Sequence, residues 1–338
     1  MNPIQIHSFK RAIPQKLVTN QDLSKLMSTS DEWISQRTGI KQRYWVTEGV
    51  GTSDLAVIAA KQTLEAAGSP RVDCIVAATL SPDYNFPGIG VQIQAKLGLA
   101  TIPAYDIRNQ CGGFLYGLEL SKALIASGQY QRILLVGAEV HSTGLDVSDR
   151  GRDIAVLFGD GAGSCLLEAA GCESNASISP NFELIGTELH SDGNFAKELW
   201  CEHPGSLQYP NRITENLVRD ARCFPAMNGR KVFEHAVKQM VEVSKSLLAK
   251  HKLSPAQIAH FIPHQANLRI NQMVAETLGI KAEAVHSTIQ KYGNTTAATI
   301  PIGFSEAVET STFQSGEYVL SAAFGSGFVW GAALFKVS

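Results

Sequence analysis

The chain of 338 residues contains no Cys-x-x-Cys pair; its six cysteines, Cys74, Cys111, Cys165, Cys172, Cys201 and Cys223, stand singly. That excludes the common zinc-ribbon and dithiol redox motifs and fits reduced thiols in a cytoplasm. No apolar run approaches the ~18 residues of a membrane span. The stretch Met1 to Lys16 mixes His, Lys, Arg and Pro among its apolar residues, so it lacks the unbroken apolar core of a secretory signal. Also missing is any Lys/Arg stripe interleaved with aromatics, and the net charge is only −2; a dedicated nucleic-acid binder is not expected. Charged residues are few, 18%, against 44% hydrophobic. A large buried interior follows, and the length predicts two domains of roughly 150 residues each.

The chain repeats its own order of elements. A helix closing in Lys96-Leu97-Gly98-Leu99 is followed by a strand over Ile102 to Ile107 and an elbow, Asn109-Gln110-Cys111-Gly112-Gly113. Later a helix closing in Leu278-Gly279-Ile280 is followed by an expected strand over Ala284 to Ile289 and a second elbow, Tyr292-Gly293-Asn294. The two glycines lie 181 residues apart and Cys111 and Asn294 lie 183 apart, which makes Asn294 the expected counterpart of the cysteine. Helices over Ser53 to Ala67 and Val232 to Lys250 precede the strands Asp73 to Leu80 and His260 to Pro263; helices over Phe114 to Ser127 and Ala297 to Thr310 precede Arg132 to Gly137 and Tyr318 to Phe324. Alternating strands and helices predict parallel pairing with helical crossovers. Two halves are expected, 1–172 carrying Cys111 and 173–338 carrying His264 and Asn294, with their elbows meeting at a shared centre. Residues 190–225 show no period and read as a long functional excursion.

A cysteine at a helix N-terminus feels the positive end of the helix dipole, which favours thiolate. The bland alternative is a small hydrophobe in a tight turn. His264, in Pro263-His264-Gln265-Ala266-Asn267, sits at the C-terminal end of an expected strand, the end that faces ligands in open α/β sheets. The other histidines, His141 and His286 among them, read as packed or solvated. Gly159-Asp160-Gly161-Ala162-Gly163 leads into another strand, not a helix N-terminus, so it reads as a structural turn and not as a phosphate loop.

The cysteine elbow, Pro263 to Arg269, Lys291-Tyr292-Gly293-Asn294-Thr295-Thr296-Ala297-Ala298-Thr299-Ile300-Pro301, Phe158 to Gly163 and Gly325-Ser326-Gly327-Phe328-Val329-Trp330-Gly331 together resemble the β-ketoacyl-acyl-carrier-protein synthase III family of the thiolase superfamily. The resemblance spans nearly the whole chain. It implies an α/β, thiolase-like αβαβα layered fold of two duplicated halves, a homodimer, and a catalytic set of Cys111, His264 and Asn294. It also implies an oxyanion hole from the backbone N–H groups of Cys111 and Ser326, where the family more often has glycine. Trp33 and Arg37 resemble the segment that binds the adenine and phosphates of CoA; Arg152 or Arg150 matches the arginine on the other face of the base. Asn267 matches a position beside the pantetheine arm, Phe86 one that the partner subunit inserts at the acyl pocket, and Gln265 and Arg269 positions at the carrier-protein surface.

The implied reaction is condensation of an acyl-CoA with malonyl-acyl-carrier protein through an acyl-Cys111 intermediate, which divides one hard step into two. Loss of CO2 generates the carbanion without a strong base. His264 as a neutral N–H donor and Asn294 as a carboxamide donor would hold the enolate oxygen. No metal or tightly bound cofactor is expected. Gln110 and the long excursion resemble members that take medium-chain primers. Three alternatives remain open: a condensing enzyme with a different second substrate, a cysteine hydrolase, since Cys, His and Asn occur in that order there too, and a non-catalytic scaffold.

Overall fold

A computed structural model describes residues 3–172, 180–207 and 210–338. The expected boundary between the halves, from 173 onward, falls on residues outside that set. We number the nine strands of the central sheet β1 Ile4–Ala12, β2 Cys74–Ala78, β3 Ala104–Ile107, β4 Arg132–Glu139, β5 Gly161–Ala169, β6 Phe182–Ser191, β7 Ile258–Phe261, β8 Tyr318–Gly325 and β9 Val329–Val337. The main helices are α1 Asp31–Thr38, α2 Thr52–Ala66, α3 Ile89–Lys96, α4 Gly113–Ala126, α5 Gly229–Lys250, α6 Leu268–Leu278 and α7 Thr299–Thr310.

The strand order is β7-β8-β9-β6-β1-β5-β4-β2-β3. It reads as one pattern written twice, outward from the antiparallel β1–β6 pair: β1-β5-β4-β2 on one side and β6-β9-β8-β7 on the other. Strands β2, β3 and β4 are parallel, as are β7 and β8, while β5 and β9 run against their neighbours. Each half therefore combines helical crossovers with one antiparallel return.

Three apolar cores define the layers. The first packs Phe114, Leu118 and Ile125 of α4 and Ile300 and Phe304 of α7 between strands of both halves, including Leu135, Leu167, Val319 and Phe335. A second lies outside β7–β9 under α5 and α6, and a third outside β2, β4 and β5 under α2 and α3. The sequence of layers is thus helix, sheet, helix, sheet, helix, the αβαβα arrangement that the resemblance implies. Burial on both faces explains why β2, β4 and β8 read as continuous apolar runs and not as alternating ones.

Two local expectations change. The strand expected over Ala284 to Ile289 is one bridge, Val285 to Phe261, between a 3-10 turn at Ala282–Ala284 and a short helix at Ile289–Tyr292. The side chain of Gln265 takes the place of a ladder: its Oε1 accepts from the N–H groups of Thr288 and Ile289 at 3.1 and 3.2 Å, and its Nε2 donates to the carbonyl of His286. Within the excursion, Leu199–Cys201 pairs with Pro225–Met227 as a small ribbon, and Glu215–Arg219 is helical.

Candidate active site

Cys111 lies in a 3-10 turn, Gln110–Gly112, that feeds directly into α4. Gln110 takes φ +43°, a left-handed value unusual without glycine, and this bend places the sulfur at the start of the helix. The turn also abuts the end of β8: a Cβ built on Gly325 would come within 2.9 Å of the Cys111 Cβ. Cys111 is buried, and burial pushes its thiol up to about 12, with the Glu139 carboxylate adding to the rise and the cysteine's own N–H opposing it. The thiolate expected from the helix dipole is therefore not the resting form; desolvation outweighs the dipole.

Cys111, His264 and Asn294 line one cavity of about 750 Å³. His264 follows β7, with its backbone N–H held by the carbonyl of Ala322 in β8. Its Nδ1 lies 2.7 Å from Thr299 Oγ1, while Nε2 has no partner among the described residues. Burial lowers its pKa to about 3, so the ring is neutral. The backbone of Asn294 is clasped by the first half of the chain: its N–H donates to Leu157 and its carbonyl accepts from Gly159. That gives the Phe158 to Gly163 turn its purpose, and a Cβ on Gly159 would meet the Tyr292 carbonyl at 2.2 Å. Asn294 Oδ1 accepts from Thr296 N at 2.9 Å, which leaves the two Nδ2 hydrogens as the free donors of the amide. A neutral imidazole, a carboxamide donor and a sulfur in one buried space can form and hold an acyl thioester and stabilise an oxyanion.

Ser326 borders the same cavity, and its hydroxyl is bound to the Leu199 carbonyl. In the same cavity two guanidiniums lie over the Trp33 ring, Arg37 at 4.2 Å and Arg152 at 4.8 Å from its centroid. Of the two candidate arginines, Arg152 is the one beside Trp33. Arg150 is turned away to Asp146 at 2.6 Å and to the Arg219 carbonyl. Asn267 also borders the cavity, but its amide is engaged: Oδ1 caps α6 at Arg269 N, and Nδ2 donates to the Arg37 carbonyl, tying α6 to α1.

Three expected residues lie outside the cavity. Gln265 is 1% exposed, and its bonds to 263, 286, 288 and 289 fix the loop described above; the expected carrier-protein contact is corrected to an internal brace. Arg269 is on the surface, its guanidinium 5.8 Å from the Phe233 ring. Phe86 is 81% exposed and does not touch its own chain's cavity.

Sequence reasoning missed Glu139, His141, Thr296 and Thr299. Glu139 ends β4, is fully buried, and accepts from Ser81 Oγ at 2.6 Å, Thr79 Oγ1 and Leu80 N. Burial still raises it to about 7. A lone acid closing an apolar strand was the available signal. His141, read from sequence as packed or solvated, is buried but lines the cavity, with Nε2 3.0 Å from Thr296 Oγ1.

Models of the 3-oxoacyl-(acyl-carrier-protein) synthase III family match residues 105–193, and its C-terminal region residues 248–337. The β-ketoacyl-acyl-carrier-protein synthase III of Rhodospirillum centenum is 41% identical over 326 residues, 96% of each chain. The enzyme of the same name from Helicobacter pylori is 40% identical over 97% of this chain and 96% of its own. Among solved structures, 3-oxoacyl-(acyl-carrier-protein) synthase III of Aquifex aeolicus superposes with a TM-score of 0.86 at 34% identity, covering 98% of this chain and 99% of its own.

Proposed function

The chain belongs to the β-ketoacyl-acyl-carrier-protein synthase III family, and on that premise we propose that its cavity condenses an acyl-CoA with malonyl-acyl-carrier protein through an acyl-Cys111 intermediate. It is an acyltransferase, a condensing enzyme of fatty-acid biosynthesis. The observation that carries the mechanism is the convergence of Cys111, His264 and Asn294 on one buried space.

The acyl thioester enters with its carbonyl carbon at the Cys111 sulfur. The carbonyl oxygen, negative after attack, is held by the backbone N–H groups of Cys111 and Ser326. Collapse expels CoA and leaves the acyl group on sulfur. The malonyl thioester then takes the vacated arm, loses CO2, and its enolate oxygen is held by Nδ2 of Asn294 and Nε2 of His264. The enolate carbon attacks the acyl-Cys111 carbonyl, the C–S bond breaks, and the β-ketoacyl thioester leaves on its carrier. These steps need no metal or other cofactor.

CoA binds with its adenine on the Trp33 ring, where it displaces the Arg152 guanidinium onto the base's other face, and with its phosphates near Arg37, a pairing suited to a flat base and anions. Asn267 borders the pantetheine arm. Arg269 meets the acidic carrier protein. The protein acts as a homodimer in which the exposed Phe86 ring closes the partner's acyl pocket, and Gln110, which lines the cavity, favours medium-chain primers. We place it in the cytoplasm; no helix of the described residues is long and apolar enough to cross a membrane.

The test is incubation with radiolabelled acyl-CoA, without a second substrate. A stable adduct that maps to Cys111 and vanishes in Cys111→Ala is expected. Rapid release of free acid would make the protein a hydrolase, no adduct a scaffold, and an adduct that no malonyl-carrier protein can discharge a condensing enzyme of another acceptor.

A further inference from the structure

The condensation proposed above needs the Asn294 amide to keep one of its two orientations. A backbone N–H only donates, so the bond from Thr296 N fixes Oδ1 as the held atom and leaves Nδ2 for the cavity that Asn294 lines. Turned over, the amide would set its carbonyl oxygen against the enolate oxygen, and two acceptors repel. The orientation therefore depends on the backbone of Thr296. That backbone is unusual, with φ +41° in a β-branched residue, where side chain and carbonyl crowd. Such a conformation persists only where its surroundings over-determine it.

Those surroundings come from the other half of the chain. Thr296 is buried, and its Oγ1 lies 3.0 Å from Nε2 of His141. The same hydroxyl faces the Glu139 carboxyl, which burial raises and the hydroxyls of Ser81 and Thr296 hold down. His141 is itself fixed from two further sides: its backbone N–H donates to Asp160 Oδ1 at 2.7 Å, and its ring lies against Phe158 with centroids 4.5 Å apart. Both partners belong to the Phe158 to Gly163 turn, which also clasps the backbone of Asn294. One turn thus holds Asn294 directly and, through His141, holds the residue that orients its amide.

We propose that His141 is a positioning residue: by anchoring the Thr296 side chain it keeps that backbone left-handed, and the N–H so aimed locks the Asn294 carboxamide with Nδ2 as the donor for the enolate. This rests on the condensation proposed above. Without the anchor, Thr296 relaxes toward negative φ, the peptide joining 295 to 296 turns, its N–H leaves Oδ1, and the amide takes both orientations. His141 lines the cavity, yet this role requires no contact with substrate.

The test reads the backbone and the chemistry separately. In His141→Leu, which keeps the bulk and deletes the ring nitrogens, hydrogen exchange at the Thr296 amide should quicken on the order of tenfold, the scale of one lost buried hydrogen bond. Malonyl decarboxylation should fall by a similar factor, with KM for malonyl-carrier protein little changed. His141→Gln, whose amide reaches the same hydroxyl, should recover most of both. Glycine adopts positive φ without strain, so in a Thr296→Gly protein the anchor has nothing to hold, and adding His141→Leu should cost little further. Should His141→Leu fail to fold, Thr296→Val removes the contact from its other side and should show the same two losses. An equal loss from His141→Leu in both backgrounds would mean that the ring acts on the bound substrate itself, and overturns the proposal. A Thr296 amide that exchanges no faster in His141→Leu overturns it as well. Exchange is measured without substrate, so a protein that never forms an acyl adduct would overturn the condensation while leaving this readout intact.

Discussion

Gln110 and Thr296 share a left-handed φ, +43° and +41°, each as the first residue of a 3-10 turn that opens a central helix. The pairing sets Cys111 against Ala297, three residues beyond the Asn294 that spacing in the sequence suggests. Neither residue is glycine, so each turn stores strain where it aims the site.

Replacing Gln110 with valine, β-branched and poorly suited to positive φ, should cost about 1–2 kcal/mol relative to glycine there. Thermal melts should show Gln110→Gly near the parent protein and Gln110→Val several degrees lower. Equal melting temperatures would mean that the turn relaxes without penalty.

Much of this architecture is legible in the sequence because burial and period determine it. The apolar runs of β4 and β8, the helical spacing of α5 and the glycines that close α3 and α6 all state their roles locally. What is not legible depends on contacts made between the halves. Gln265 stands beside His264 and reads as a surface polar residue, yet its amide replaces a missing strand. Burial outweighs the helix dipole at Cys111, with Glu139 adding to it, and only the fold buries the two together. That Arg152 and not Arg150 lies over Trp33 depends on Asp146, which holds Arg150 and whose position no spacing rule supplies.

Asn294→Ala should separate the half-reactions. The acyl-enzyme should still form, since in the proposed reaction Nδ2 serves the enolate and not the thiol, while malonyl decarboxylation falls roughly 10²–10³-fold. His264→Ala should do the same, because its Nε2 serves the same enolate oxygen in the proposed reaction. An Asn294→Ala enzyme that fails to acylate would reverse the assignment.

The Trp33–Arg152 stack gives a specific expectation for CoA. Arg152→Ala should raise KM for acyl-CoA on the order of tenfold, the scale of one partly desolvated cation–π and phosphate contact. Arg150→Ala, whose guanidinium is spent on Asp146 and Arg219, should leave it unchanged. Isothermal titration with CoA compares the two, and a larger effect at Arg150 would displace the adenine from Trp33.

The buried histidines make the fold sensitive to acid. His141 and His264 are both held near 3 by burial, against about 6.5 when unfolded. Between those values the unfolded chain binds protons that the folded one refuses, so each contributes stability that is lost as pH falls from 6.5 toward 3. Glu139, raised to about 7, works in the opposite sense between pH 7 and its unfolded value of about 4.5 and offsets one histidine there. His141→Gln should therefore flatten the slope of unfolding free energy below pH 6.5 by up to about 1.4 kcal/mol per pH unit. Urea melts at several pH values measure it; parallel slopes in both proteins would show that His141 is protonated in the folded state.

The acidic carrier protein needs a basic landing site close to the cavity. Arg230 and Lys231 are drawn into ion pairs with Glu234 at 2.9 Å and Glu198 at 2.6 Å, whereas Arg269, at the N-terminal turn of α6, has no acidic partner among the described residues. Its guanidinium rests on Phe233, a residue that also lines the cavity, which places a free positive charge beside the mouth. Attraction of this kind acts on encounter and is screened by salt. Arg269→Glu should therefore raise KM for malonyl-carrier protein and make it less sensitive to added salt, while the rate of loading from acyl-CoA stays the same. If both substrates weaken together, the charge serves the CoA phosphates, and the carrier protein docks on another face.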